Sequence, residues 1–132
     1  MIPPRDLTRN QALVLDRLVQ AEAPISAYGL LDQLRDEGLR APLQVYRALD
    51  KLVELGLAHR LESLNAFVAC AHAHSHDAVS GATAFAICEK CGRVDEFTDA
   101  TVNERLAGWA GKAGFAPRST TIELRGRCAD CA

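Results

Sequence analysis

The chain has 132 residues, 48% hydrophobic and 24% charged, with 15 Lys and Arg against 17 Asp and Glu and a formal net charge of −2. That composition belongs to an ordinary globular protein of one domain or two small ones, and no apolar run approaches the roughly 18 residues needed to cross a bilayer. The opening Met1-Ile2-Pro3-Pro4-Arg5-Asp6 has no apolar signal-peptide core, so a cytoplasmic protein is expected, and the near-neutral charge means that basic groups for any nucleic-acid partner must be gathered on one face.

In chain order, Leu7-Thr8-Arg9-Asn10-Gln11 leads into a helix with Leu15, Leu18 and Val19 at i, i+3 and i+4 and Thr8 as its N-cap. Pro24 ends that helix or the loop after it. Ser26 caps a second helix from 27 to about 37, striped by Leu30, Leu31 and Leu34 and stopped by Gly38. Pro42 opens a third, which runs to Leu55 and closes at Gly56, with Val45, Leu49, Leu52 and Val53 in helical period. Beyond Gly56 the period falls to two. Residues 57–62 and 66–70 read as strands joined by a Ser63-Leu64-Asn65 turn. Three short helices and a hairpin make a winged helix-turn-helix, whose third helix is the one placed in a major groove.

Residues 71–83 are small and polar, hold three of the four histidines, and read as a hinge. A strand at 84–87, a Cys-x-x-Cys-Gly turn, a strand at 93–97, a helix around 101–112 and a last strand at 119–125 follow. The expected fold is therefore α+β: a winged-helix DNA-binding domain over residues 1–70, a hinge over 71–83, and a small α/β domain over 84–132.

Five cysteines, without a secretion signal, point to metal before disulfide. Cys88-Glu89-Lys90-Cys91-Gly92 and Cys128-Ala129-Asp130-Cys131 are two Cys-x-x-Cys turns, each beside an expected strand. Such a turn aims both sulfurs at one point, and two of them supply a tetrahedral zinc site with Zn–S bonds of about 2.3 Å. A redox dithiol needs no second copy. Four protein ligands close the site, so its role is structural: it clips the last strand onto the sheet of a unit with a modest core.

The pairing leaves over Cys70. Near it in sequence stand His72, His74 and His76, with His59 upstream in the hairpin and Glu96 beyond the first cysteine pair. One thiolate, one or two imidazoles and one carboxylate form a mixed N/S/O set that suits zinc better than iron. The alternative is a buried strand cysteine beside a solvated histidine loop. Clustering at a domain junction favours the metal, because ligands drawn from hairpin, hinge and far domain couple occupancy to conformation.

Several segments resemble the ferric uptake regulator (Fur) superfamily, and within it most the zinc uptake regulator branch. They are Ser26-Ala27-Tyr28-Gly29-Leu30-Leu31, Val45-Tyr46-Arg47-Ala48-Leu49-Asp50-Lys51-Leu52, Leu55-Gly56-Leu57-Ala58-His59-Arg60-Leu61-Glu62-Ser63, Phe67-Val68-Ala69-Cys70, Ile87-Cys88-Glu89-Lys90-Cys91-Gly92 and Ile122-Glu123-Leu124-Arg125-Gly126-Arg127-Cys128. The resemblance implies dimeric, metal-dependent repressors in which the C-terminal α/β domain dimerises. It implies that Cys88, Cys91, Cys128 and Cys131 hold structural zinc, and that His59, Cys70 and Glu96 hold regulatory zinc with one hinge histidine. His76 is favoured for that place, His74 is the alternate, and His72 comes last. Tyr28 and Arg47 match DNA-contacting positions. The helix-three motif of relatives reads Thr-Val-Tyr-Arg, and Gln44 stands here for the threonine, which puts one phosphate or capping contact in question.

Arginine makes bidentate contacts to guanine in the major groove, and Arg47 lies on the face expected to point there. Tyr46 either packs under its helix or reaches a phosphate; Arg9, Arg40, Lys51 and Arg60 are candidate phosphate contacts. The expected function is a zinc-responsive repressor that binds double-stranded operator DNA as a homodimer when regulatory zinc is bound, controlling zinc-uptake genes. Each chain would hold two Zn2+ ions, one structural and one regulatory, and no membrane or small organic substrate is expected as a partner. Two alternatives are a family member sensing another metal or peroxide, and a zinc-ribbon interaction module that binds no DNA. An enzyme is not expected: hydrolytic zinc needs an open position and a general base, and the sequence carries no nucleophile motif or phosphate-cradling loop.

Overall fold

Local sequence signals account for each element of the computed structural model, which describes residues 7–70, 83–118 and 120–132. The chain divides into two compact units, Met1–His74 and Ser75–Ala132. The expected hinge lies outside the described residues except for Thr83.

In the first unit, helix α1 (Arg9–Gln20) begins at Thr8, whose hydroxyl accepts from the Gln11 N–H while Gln11 Oε1 accepts from the Thr8 N–H. That reciprocal box satisfies two otherwise orphaned donors. Ser26 Oγ accepts from the Gly29 N–H, 3.0 Å away, and starts α2 (Ala27–Leu34), which tightens into a 3-10 turn over Arg35–Glu37. The chain leaves that turn at Gly38 with φ 105, a left-handed conformation that a side chain would strain. Helix α3 (Pro42–Glu54) has proline in its first turn, where the missing N–H costs nothing. Strands β1 (Ala58–Leu61) and β2 (Ala66–Ala69) then form an antiparallel hairpin with His59 opposite Val68, turned at Asn65. Ile25 and Phe67 exchange two backbone hydrogen bonds, which tie the segment before α2 to the hairpin.

The core of this unit is aliphatic: Val14, Leu18, Leu30, Leu34, Leu39, Val45, Leu49 and Leu52 are buried, closed by Leu57 and Phe67. Each such side chain contributes about 1.5–3 kcal/mol on leaving water. Two residues of the expected stripes lie outside it. Val19 is 58% exposed and Val53 40%. The α1 face is centred on Val14 and Leu18, one turn apart. The α3 ridge runs through Val45, Ala48, Leu49 and Leu52.

The second unit is a three-stranded sheet of order β4-β3-β5 with one helix: β3 (Thr83–Cys88), β4 (Val94–Phe97), α4 (Ala100–Ala113) and β5 (Thr121–Gly126). β3 pairs antiparallel with β4 and parallel with β5, and Cys88 is in register with Gly126. Asp99 caps α4 by accepting from the Val102 N–H. Little here is buried: Ala84, Phe85, Ile87, Cys88 and Ala110 among the described residues. No helix among the described residues is long and apolar enough to cross a membrane.

Candidate metal centre and DNA-reading face

The parallel pairing of β3 with β5 brings the two Cys-x-x-Cys turns to one end of the sheet. Cys88 is the last residue of β3, and β5 ends two residues before Cys128. The Glu89 N–H donates to the Gly126 carbonyl at 2.7 Å, joining the two exits. Each turn is closed by its own backbone, Gly92 N–H to Cys88 O at 3.0 Å and Cys131 N–H to Cys128 O at 3.0 Å. Gly92 has φ 81, which lets the chain reverse right after the second sulfur of its pair.

The four Sγ atoms lie within 4.8 Å of one another, with Cys91 and Cys128 at 3.7 Å. The edge of a ZnS4 tetrahedron with 2.3 Å bonds is about 3.8 Å. Four thiols this close do not all ionise unaided. The Cys88 thiol is lowered to about 6 by the Cys91 backbone N–H and then by that of Cys128. Cys131 is pushed up to about 12 by its hydrogen bond to the Cys128 thiol and by burial. Cys91 is also raised: the Arg93 N–H pulls it down, but its contacts with the Cys88 and Cys128 thiols and burial prevail. A soft divalent cation at the centre reverses this repulsion by stabilising all four thiolates. Four anionic sulfurs at tetrahedral spacing fit zinc in a closed, structural site.

Of the other expected ligands that are described, His59 and Cys70 belong to the first unit and Glu96 to the second. In the first unit the Cys70 N–H donates to Leu57 O at 2.9 Å, extending the hairpin by one pair. With His59 opposite Val68, His59 and Cys70 are then diagonal neighbours on one face of the hairpin. Both are half-buried. Glu96, also half-buried, belongs to β4 in the second unit, opposite Phe85. His72, His74 and His76 lie outside the described residues.

On the first unit, α3 turns Leu43, Gln44, Arg47, Asp50, Lys51 and Glu54 outward. Arg47 is exposed, and Tyr28 at the start of α2 is 61% exposed. Tyr46 is half-buried and packs against the aliphatic core. Gln44 Oε1 accepts from the N–H groups of Arg40 (3.0 Å) and Ala41 (3.1 Å), so Gln44 caps its own helix. Among the candidate phosphate contacts, Arg9 is turned to Glu37 and donates to its carbonyl at 2.8 Å. Lys51 lies 3.8 Å from Glu54, and Arg60 lies 3.8 Å from Glu62. These pairs are exposed and worth little, so they yield readily to a phosphate.

One feature of the second unit was not anticipated. Val102, Leu106 and Trp109, at i, i+4 and i+7 on α4, are 40%, 42% and 63% exposed, and Phe115 packs its ring 5.9 Å from that of Trp109. The signal was present in the sequence as an apolar stripe on a helix of a unit too small to cover it.

A family model, that of the ferric uptake regulator family, matches residues 6–125. The zinc uptake regulation protein of Escherichia coli (strain K12) is 41% identical over 126 residues, which cover 95% of this chain and 72% of that protein. The protein of the same name from Shigella flexneri matches to the same extent. Among solved structures, holo XcZur superimposes with a TM-score of 0.82 at 41% identity, over 94% of this chain and 84% of that one. A zinc uptake regulator complexed with zinc and DNA gives 0.85 at 40% identity, over 94% and 81%. The chain, with its winged helix, its four-cysteine cluster and this extent of matching sequence, belongs to the ferric uptake regulator family and is similar within it to the zinc uptake regulators.

Proposed function

We propose that this chain is a zinc-responsive transcriptional repressor that binds operator DNA as a homodimer and controls zinc-uptake genes. The observation that carries the reading is one chain holding both a four-cysteine cluster and a winged helix whose third helix turns Arg47 outward. The likeness to a zinc uptake regulator complexed with zinc and DNA supports it. Members of the family are regulators rather than enzymes. A DNA-bound regulator works where the chromosome is, in the cytoplasm.

In this reading residues 1–70 bind DNA, 71–83 form the hinge and 84–132 dimerise. Arg47 reads a base, and Tyr28 contacts the duplex beside it. Cys88, Cys91, Cys128 and Cys131 hold the structural zinc. His59, Cys70, Glu96 and a hinge histidine, His76 or else His74, take up the regulatory zinc, for two ions per chain. Bound there, zinc supplies a cross-link between residues of the two units and nothing more. The side-by-side placement of His59 and Cys70 on one hairpin face supports their share in the set. A second copy of the chain is the partner best suited to the uncovered Val102, Leu106 and Trp109 and to β5, which lies at the edge of its sheet.

The test is metal-dependent DNA binding. Full-length protein is stripped by mild chelation, then titrated with Zn2+, Fe2+ or Mn2+ against a duplex selected from a random library, with binding followed by fluorescence anisotropy. Zinc should restore binding that weakens steeply with salt, and Cys70→Ala should abolish the zinc dependence. Restoration by iron or manganese alone would move the chain to another branch of sensing. Absence of salt-dependent binding under saturating zinc would make it an interaction module.

A further inference from the structure

The first turn of α3 is apolar where it meets solvent. Ala41 and Pro42 are exposed, and Leu43 is 57% exposed, although nine other leucines of this unit are buried at 8% or less. A lone surface leucine needs no explanation. This one sits in the first turn of the helix that enters the groove, where a helix-turn-helix contacts base edges. Its polar neighbour is engaged elsewhere, because the Gln44 carbonyl oxygen is folded back onto the N–H groups of Arg40 and Ala41 at 3.0 and 3.1 Å. The side chains left to meet base edges from the start of the helix are Leu43 and, four residues on, Arg47.

Those two do different chemistry. Arginine selects guanine through O6 and N7; an aliphatic side chain has no hydrogen bond to offer and distinguishes one base only, thymine, by its 5-methyl group. Positions i and i+4 share a helix face and are about 6 Å apart along the axis. That spacing is on the order of two base-pair steps of duplex DNA.

We infer that Leu43 is a specificity-determining residue that packs against a thymine 5-methyl group in the major groove, within about two base pairs of the guanine read by Arg47. The inference rests on the DNA-binding reading above and adds a base preference to it. It makes the half-site readout part apolar, so one letter of the operator is recognised without a hydrogen bond.

The experiment uses zinc-loaded full chain and a tight-binding duplex selected from a random-sequence library. Each thymine is replaced in turn by deoxyuridine, which keeps the base pair and removes only the methyl group. At one position per half-site, within about two base pairs of a guanine whose replacement is most damaging, wild type should lose affinity about four-fold, the worth of one buried methyl group. Leu43→Ala should bind the thymine duplex about as weakly as wild type binds the deoxyuridine one, and should no longer distinguish the two. The exposed position and the helix preference of alanine keep that variant folded, which circular dichroism checks. Equal affinity of wild type for every deoxyuridine duplex overturns the inference and leaves DNA binding standing. So does a thymine preference that survives in Leu43→Ala. A chain that binds no duplex under zinc overturns both, and the salt titration identifies that case.

Discussion

Replacing Cys131 with serine should unfold the second unit and leave the first intact. In the proposed cluster the metal would join Cys91 to Cys128, 37 residues away. Treated as a staple closing a loop of that length, it removes unfolded-chain entropy worth about 4 kcal/mol. The unit has little to set against the loss. Of its buried residues among those described only Phe85 and Ile87 are large, contributing about 1.5–3 kcal/mol each, and β5 exposes four of its six residues. The winged helix rests on its own aliphatic core and owes nothing to the cluster. Hydrogen exchange with mass spectrometry on the full chain separates the two. Amides of β3 and β5 should lose about a thousandfold in protection, the equivalent of about 4 kcal/mol at 1.36 kcal/mol per decade, while those of α3 keep theirs. Full protection of β5 in Cys131→Ser would refute the view that the metal holds this unit together. Equal loss in α3 would refute the independence of the two cores.

Four further outcomes follow from the same geometry. Arg47→Ala should weaken binding to the selected duplex by about 10- to 100-fold and relax the preference for guanine at one position, read by competition with base-substituted duplexes. Trp109→Ala should weaken self-association by about 30-fold or more, since a large aromatic at the centre of an interface is a typical anchor; sedimentation velocity reads it, and an unchanged dimer would place the interface elsewhere. Zinc loading of the stripped cluster at about pH 7.5 should release at least two protons per ion, one each from Cys91 and Cys131, measured by calorimetry in buffers of different ionisation enthalpy. The pH dependence of the metal-free unit has two signs. Cys88, lowered from 9.0 to about 6, contributes stability present above pH 9 and lost as pH falls through 6. Cys131, raised from 9.0 to about 12, contributes stability present below pH 9 and lost as pH rises through 12.

The elements were legible wherever a local rule governs them. Thr8, Ser26 and Pro42 start helices because side-chain or ring chemistry acts within one turn, and Gly38 and Gly92 adopt the positive φ their places require. The cysteine pairs were legible because metal geometry prescribes their spacing. What the sequence concealed depends on neighbours distant along the chain. Val19 and Val53 keep helical period yet lie at the margins of faces whose centres are set by packing on other elements. Gln44 in place of threonine leaves a phosphate or capping contact in question until its side chain is seen turned back onto the helix start. The α4 stripe looks like core, and only the structure shows that Trp109 stays 63% exposed.

The most direct measurement is zinc per chain, taken together with DNA binding, before and after mild chelation of the full-length protein. The account predicts two zinc ions falling to one, with salt-dependent binding lost at that step and the second unit still folded, and binding regained as the second ion returns. Undiminished DNA binding at one zinc per chain would contradict it, as would loss of both ions in a single step.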